Sequence, residues 1–232
     1  MMSHNPAGVR LSRRYQCEFC EELADSTASR FRGIYGPDIS SRIVARQGAF
    51  VAMPTIGQLM MGSLLALPVP HFETLAQMPQ NMRSEFGRFV GQLARRIKSL
   101  GEPVFLEHGA ESWTGGGCGV YHAHMHIVPV PERIGAAEVL PRVSGIARSL
   151  PAAWSRLQRT GEYLVFQDAH SQVAFLDLSR QRTPEVASQH FRRVLVERFR
   201  LAKDADWRAY TSHEPLLIKT LEWFGVQSVP LS

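Results

Sequence analysis

Between Pro79 and Leu100 the apolar residues Met82, Phe86, Phe89, Val90, Leu93, Ile97 and Leu100 recur at helical intervals, while Arg83, Glu85, Arg88, Arg95, Arg96 and Lys98 fall mostly on other faces. The pattern predicts a long amphipathic helix with its arginines on a solvated face. Upstream, residues 42–53 hold two apolar runs broken at Gln47-Gly48, which predicts a hairpin. A third strand is expected over Gly62–Pro68, where Pro68 and Pro70 stop regular pairing and leave His71 at the strand end. After the helix come a short strand at Val104–Glu107, a glycine-rich loop from His108 to Gly119, and a strand over Tyr121–Pro129. Strands, one long helix and further strands make an α+β domain with a mainly antiparallel sheet.

Residues 133–232 read as a C-terminal extension of mixed helix and strand. Gly161–Phe166 and Gln172–Leu178 suit a hairpin joined through Asp168-Ala169-His170-Ser171, and helices are expected from about Pro184 to Ala202 and from about His213 to Phe224. Residues 1–14 are polar and basic without an apolar period and suit a loose arm, so the expected division is 1–14, 15–132 and 133–232.

Chemistry concentrates in the strand over 121–129. His122, His124 and His126, three of nine histidines, stand at i, i+2 and i+4, so a strand places them on one face and Ala123, Met125 and Ile127 on the other. At ~3.3 Å per residue the outer two are roughly 13 Å apart, so three imidazoles cannot share one ion without a strong bend. The row therefore divides its labour. Near the N-terminus, Cys17-Glu18-Phe19-Cys20 has the spacing for two thiolates on one metal, with a redox pair or two buried cysteines as the alternatives. With three cysteines in all, any remaining ligands must be histidines or acids.

Composition adds limits. At 232 residues and 44% hydrophobic content the chain can bury an ordinary globular core. Its charge of +5 and pI near 9.4 suit an anionic partner such as a nucleotide, although a modest excess of arginine also marks an ordinary soluble surface. No run approaches the ~20 apolar residues of a membrane span, and Met1-Met2-Ser3-His4-Asn5-Pro6 lacks a signal-peptide pattern, so a cytoplasmic protein is expected. In Ser188–Arg193 the basic residues suit a solvated helix face, or else Arg192 or Arg193 reaches phosphate in a composite site.

Three motifs in order, Cys17-x-x-Cys20, Leu67-Pro68-Val69-Pro70-His71 and His122-Ala-His-Met-His-Ile-Val-Pro129, resemble the zinc-bearing branch of the histidine-triad (HIT) superfamily of nucleotide hydrolases and transferases. The resemblance covers roughly residues 15–131 and implies a HIT-like fold. It implies structural zinc on Cys17, Cys20, His71 and His122, a closed Cys₂His₂ set. It implies His124 as the nucleophile that forms a covalent nucleotidyl-histidine at the α-phosphate, with His126 serving phosphate oxygen or the leaving group. The glycine run from Gly115 to Gly119, including Gly117, would bring backbone N–H groups to the phosphate. The chain departs from the family pattern at three substrate-binding positions. Thr55 stands where many members carry a ribose-binding acid, Gly119 where many carry Ser, Thr or Gln, and Glu107 where an Asn is common. The Cys118-Gly119 pair is closer to the transferase branch. The expected partner is a nucleotide or nucleotide conjugate, with a homodimer possible and neither membrane nor nucleic acid as partner. A catalytically silent nucleotide-binding regulatory protein of the same fold is the competing reading.

Overall fold

The computed structural model describes residues 17–36, 38–112, 114, 117, 119–168, 172–179 and 186–226. The expected N-terminal arm and Gly115, Gly116, Cys118, Ala169, His170 and Ser171 lie outside these residues.

Among the described residues one eight-stranded sheet organises the fold. Its strands are β1 (Ala45–Gln47), β2 (Phe50–Pro54), β3 (Leu64–Pro68), β4 (Glu102–Ala110), β5 (Met125–Val130), β6 (Gly145–Ala147), β7 (Glu162–Gln167) and β8 (Val173–Asp177). They lie in the order β1-β2-β3-β5-β4-β7-β8-β6, and every neighbouring pair is antiparallel. The expected hairpin turns at Gly48, where φ is +54°. The strands of residues 133–232 extend the same sheet, because β7 pairs with β4 from Phe105↔Gln167 to Ala110↔Glu162.

Helices cover both faces, which is why β2 and β3 are buried at every position rather than at alternate ones. The long predicted helix, α3 (Gln80–Ile97), packs with α5 (Leu150–Leu157) on one face, joining Phe86, Phe89, Leu93, Trp154 and Leu157 to Phe50, Ala66, Phe105, Met125 and Val165. Against the other face, Val139 of α4 (Ala136–Val139) and Phe191 and Leu195 of α6 (His190–Arg198) meet Leu106, Val128, Leu164 and Phe166. On that side too, α1 (Glu18–Leu23) lays Phe19 on Val51, Met53, Leu65 and Leu67. A further cluster joins α2 (Arg30–Tyr35) to α7 (Pro215–Trp223) through Phe31, Tyr35, Ile56, Leu217 and Leu221.

Three local expectations change. Arg83 belongs to the buried side of α3, donating to the Ala76 carbonyl at 3.2 Å, instead of to a solvated face. The histidine strand begins only at Met125, so His122 and His124 precede it. The ladder stops there because the β3 end is spent: Pro68 has no N–H, and its carbonyl accepts from the His122 ring at 2.8 Å. The helix expected from Pro184 to Ala202 covers only His190–Arg198 within the described residues.

Candidate active site and metal centre

The metal-ligating candidates come from four places in the chain. Cys17 caps α1 and Cys20 lies one turn inside it, His71 follows β3, and His122 precedes β5. Their ligand atoms all lie within 4.8 Å of one another. Cys17 Sγ is 3.4 Å from His122 Nδ1, while Cys20 Sγ is 3.3 Å from His71 Nδ1 and 3.6 Å from His122 Nδ1. Zinc bonds of ~2.3 Å to sulfur and ~2.0–2.1 Å to nitrogen at tetrahedral angles put S and N roughly 3.6 Å apart, so donors and spacing both fit that ion. The Cys17 thiol is held far below its ordinary value by hydrogen bonding to Cys20, with His122 and His71 adding to the effect against the opposing cost of burial. His122 turns its other nitrogen, Nε2, to the Pro68 carbonyl, which fixes the ring so that Nδ1 faces the thiols.

The His122 main chain carries the next link. His124 Nδ1 lies 2.7 Å from the His122 carbonyl oxygen. A carbonyl only accepts, so Nδ1 bears the proton and Nε2 keeps its lone pair. Phe19 sets its ring edge-on to both imidazoles, at 5.8 Å from His122 and 5.4 Å from His124, which restrains their planes. His126 lies 5.3 Å from His124, ring centre to ring centre. Burial, then the positive charges available at His124 and Arg192, hold its pKa well below that of a free imidazole, so it is neutral at physiological pH.

His124 and His126 line a cavity of about 470 Å³, its open mouth included, together with Glu18, Phe19, Arg42, Thr55, Ile56, Leu65, Val120, Arg192 and Trp207. A second cavity of about 1030 Å³ lies beside Cys17, His71, Glu73, Ser112, Gly119, Tyr121 and Arg208, and shares Glu18, Val120 and Trp207 with the first. The Glu18 carboxyl is raised by burial above its ordinary value. Arg42 is held by Glu22 through two bonds of 2.7 Å and by the Pro54 carbonyl at 2.6 Å.

Of the substrate-binding candidates, Thr55 lines the first cavity and its buried Oγ1 has no hydrogen-bond partner among the described residues. Gly119 is exposed, lines the second cavity and has φ +80°. Gly117 is buried with φ +75°, its Cα side against Ala110. Glu107 departs from expectation and reaches neither cavity. It faces the α3–α5 core, accepting from Trp154 Nε1 at 2.7 Å, Tyr163 Oη at 2.5 Å and the Leu75 N–H at 3.1 Å. Of the two arginines considered, Arg192 lines the cavity and Arg193 is exposed. Glu18 and Phe19 entered the sequence reading only as the middle of a Cys-x-x-Cys, and Trp207 had no local signal at all.

A family model described as "Protein similar to CwfJ C-terminal" matches residues 40–142. The Bacillus subtilis (strain 168) protein named "Protein hit" is 29% identical over 113 residues, which span 49% of this chain and 70% of that protein. Among solved structures, a Hit-like protein involved in cell-cycle regulation from Bartonella henselae aligns at 19% identity over 51% of this chain and 79% of its own, with a TM-score of 0.40. A Zn-bound histidine triad family protein from Mycobacterium smegmatis aligns at 19% identity over 64% of this chain and 94% of its own, with a TM-score of 0.37.

Proposed function

We propose that this chain, which resembles the HIT-like proteins over the matched region, cleaves a nucleoside phosphate derivative at the α-phosphate through a nucleotidyl-histidine on His124. The observation that carries this is the 2.7 Å contact from His124 Nδ1 to the His122 carbonyl, which leaves Nε2 unprotonated at the wall of the cleft that it shares with Thr55, His126 and Arg192. Nε2 attacks phosphorus. The bond to the leaving group breaks, and that group departs with the electron pair and takes up a proton from solvent. Water, or another acceptor in a transferase, then attacks phosphorus and releases its proton to solvent, and the P–N electron pair returns to His124. The Nδ1–H stays on the His122 carbonyl throughout, which stabilises the positive ring that forms. Because burial keeps His126 neutral, its N–H acts as a hydrogen-bond donor to a phosphoryl oxygen rather than as a strong acid.

Cys17, Cys20, His71 and His122 would hold zinc in a closed four-ligand site, where it supplies anchoring and offers no open position to substrate. That anchoring steadies the His122 carbonyl and so orients His124.

Incubation with nucleoside 5′-phosphoramidates, dinucleoside polyphosphates and nucleotide sugars, followed by intact-mass measurement after acid-free quenching, tests the proposal. The expected result is a nucleotidyl adduct on the wild type that His124→Ala lacks, with turnover reduced at least ~1000-fold. No adduct and no turnover with any of these compounds would refute catalysis and leave the nucleotide-binding regulatory reading.

A further inference from the structure

Two residues of the 470 Å³ cavity wall, Arg192 and Trp207, come from sequence beyond the 40–142 match. Trp207 opens a 3-10 turn, Trp207–Ala209, and lines both cavities. Several bonds hold the turn. The Arg30 guanidinium sits 5.3 Å from the indole centre and donates to the carbonyls of Arg208 at 2.6 Å and Tyr210 at 2.9 Å. Gln189 donates to Asp206 at 2.6 Å and accepts from the Trp207 N–H at 3.0 Å, and it does so from a left-handed conformation of φ +61°.

Arg192 fastens this turn to the loop after β2. Its Nε donates to the Ala205 carbonyl and its terminal nitrogen to the Gly57 carbonyl, both at 2.6 Å. At Gly57, where φ is +69°, a Cβ would lie 2.7 Å from the Tyr210 ring and 2.9 Å from Arg192, so the close approach requires glycine. Two residues before it stands Thr55, buried to 4% exposure, its hydroxyl lining the cavity without a hydrogen-bond partner among the described residues. The remaining cavity wall includes Phe19, Ile56, Leu65 and Val120, which is apolar and suits a flat heterocycle more than a bare phosphate.

We propose that Trp207 is the stacking platform for the nucleobase, so that the C-terminal region completes the base subsite within one chain. This rests on the nucleotide reading above and adds the residue that discriminates a nucleotide from a sugar phosphate. The base lies against the part of the indole not covered by Arg30. Loss of such a stack weakens binding by about ten-fold.

The test uses the full chain, with the four ribonucleoside 5′-monophosphates and base-free ribose 5-phosphate, in equilibrium dialysis against wild type, Trp207→Ala and Trp207→Phe. Wild type should bind its best nucleotide at least ten-fold more tightly than ribose 5-phosphate. Trp207→Ala should lose about ten-fold on the nucleotide and nothing on ribose 5-phosphate, and Trp207→Phe should retain most of the preference. If circular dichroism shows that Trp207→Ala does not fold, Trp207→Leu, apolar but not aromatic, makes the same comparison. Equal nucleotide binding by wild type and the non-aromatic variant, equal losses on both ligands, or no wild-type preference would overturn the assignment. An adduct on His124 alongside any of those results would leave the proposed catalysis standing. A base preference lost with Trp207 but without any adduct would do the reverse.

Discussion

Glu107 shows how a single residue takes a role that its neighbours in sequence do not announce. Burial pushes its carboxyl up to about 7, against the lowering effect of Tyr163, Trp154 and the Leu75 N–H. A carboxyl raised from 4.5 in this way keeps its proton in the fold after the unfolded chain has lost it. Its contribution is therefore complete below pH 4.5, is lost as pH rises to about 7, and is level above that. Urea unfolding across this window should show a loss of up to about 3 kcal/mol in wild type that Glu107→Gln lacks. Parallel slopes in the two proteins would show that Glu107 titrates normally. Period-two alternation along β4 already sets Glu107 on the Phe105 face and Leu106 on the face of His126, so its separation from the cavities was legible once the strand was recognised. The donors that hold it were not, because Trp154 and Tyr163 lie 47 and 56 residues away.

Among elements, α1 has the least local support. It is six residues long, far below the length at which an isolated helix persists, and its N-cap side chain, Cys17, makes no capping bond to the helix N–H groups. Besides the packing of Phe19, polar ties position it, among them the four-residue Cys/His cluster and the buried Glu22–Arg42 pair, whose side chains are 6% and 2% exposed. A buried pair of that kind is costly to break singly and contributes less as a whole. Cys17→Ser, measured by metal analysis and thermal melting, should therefore lose bound zinc and about 2 kcal/mol or more of stability, a fall of roughly 4–8 °C. Full zinc content in the variant would remove Cys17 from the ligand set. The sequence showed the motif but not the helix, since Glu18–Leu23 is too short for a 3.6-residue period to register. By contrast α3, with 18 residues, was legible to within a few positions.

At the scale of the whole molecule, residues 133–232 belong to the same sheet and the same cores as the rest. β7 covers six positions of β4, and Trp154, Tyr163, Val165 and Phe175 fill the core beneath α3. A chain ended after residue 132 would expose the paired edge of β4 and leave Glu107 without two of its three donors. Such a truncation is expected to give no cooperative urea transition and no near-ultraviolet circular dichroism. A sharp two-state transition would instead show that residues 17–132 fold alone. Among the described residues no helix is long and apolar enough to cross a membrane. By itself the sequence determined which stretches turn apolar faces inward and in what order the cysteines and histidines occur, because periodicity and motif spacing are local properties. Tertiary structure decided that His122 and His124 leave the strand, that Glu107 serves the core, and that Arg192 reaches Gly57 across 135 positions with Trp207 beside the cavity. Contacts at such separations follow from how packed faces meet, and no window along the chain records them.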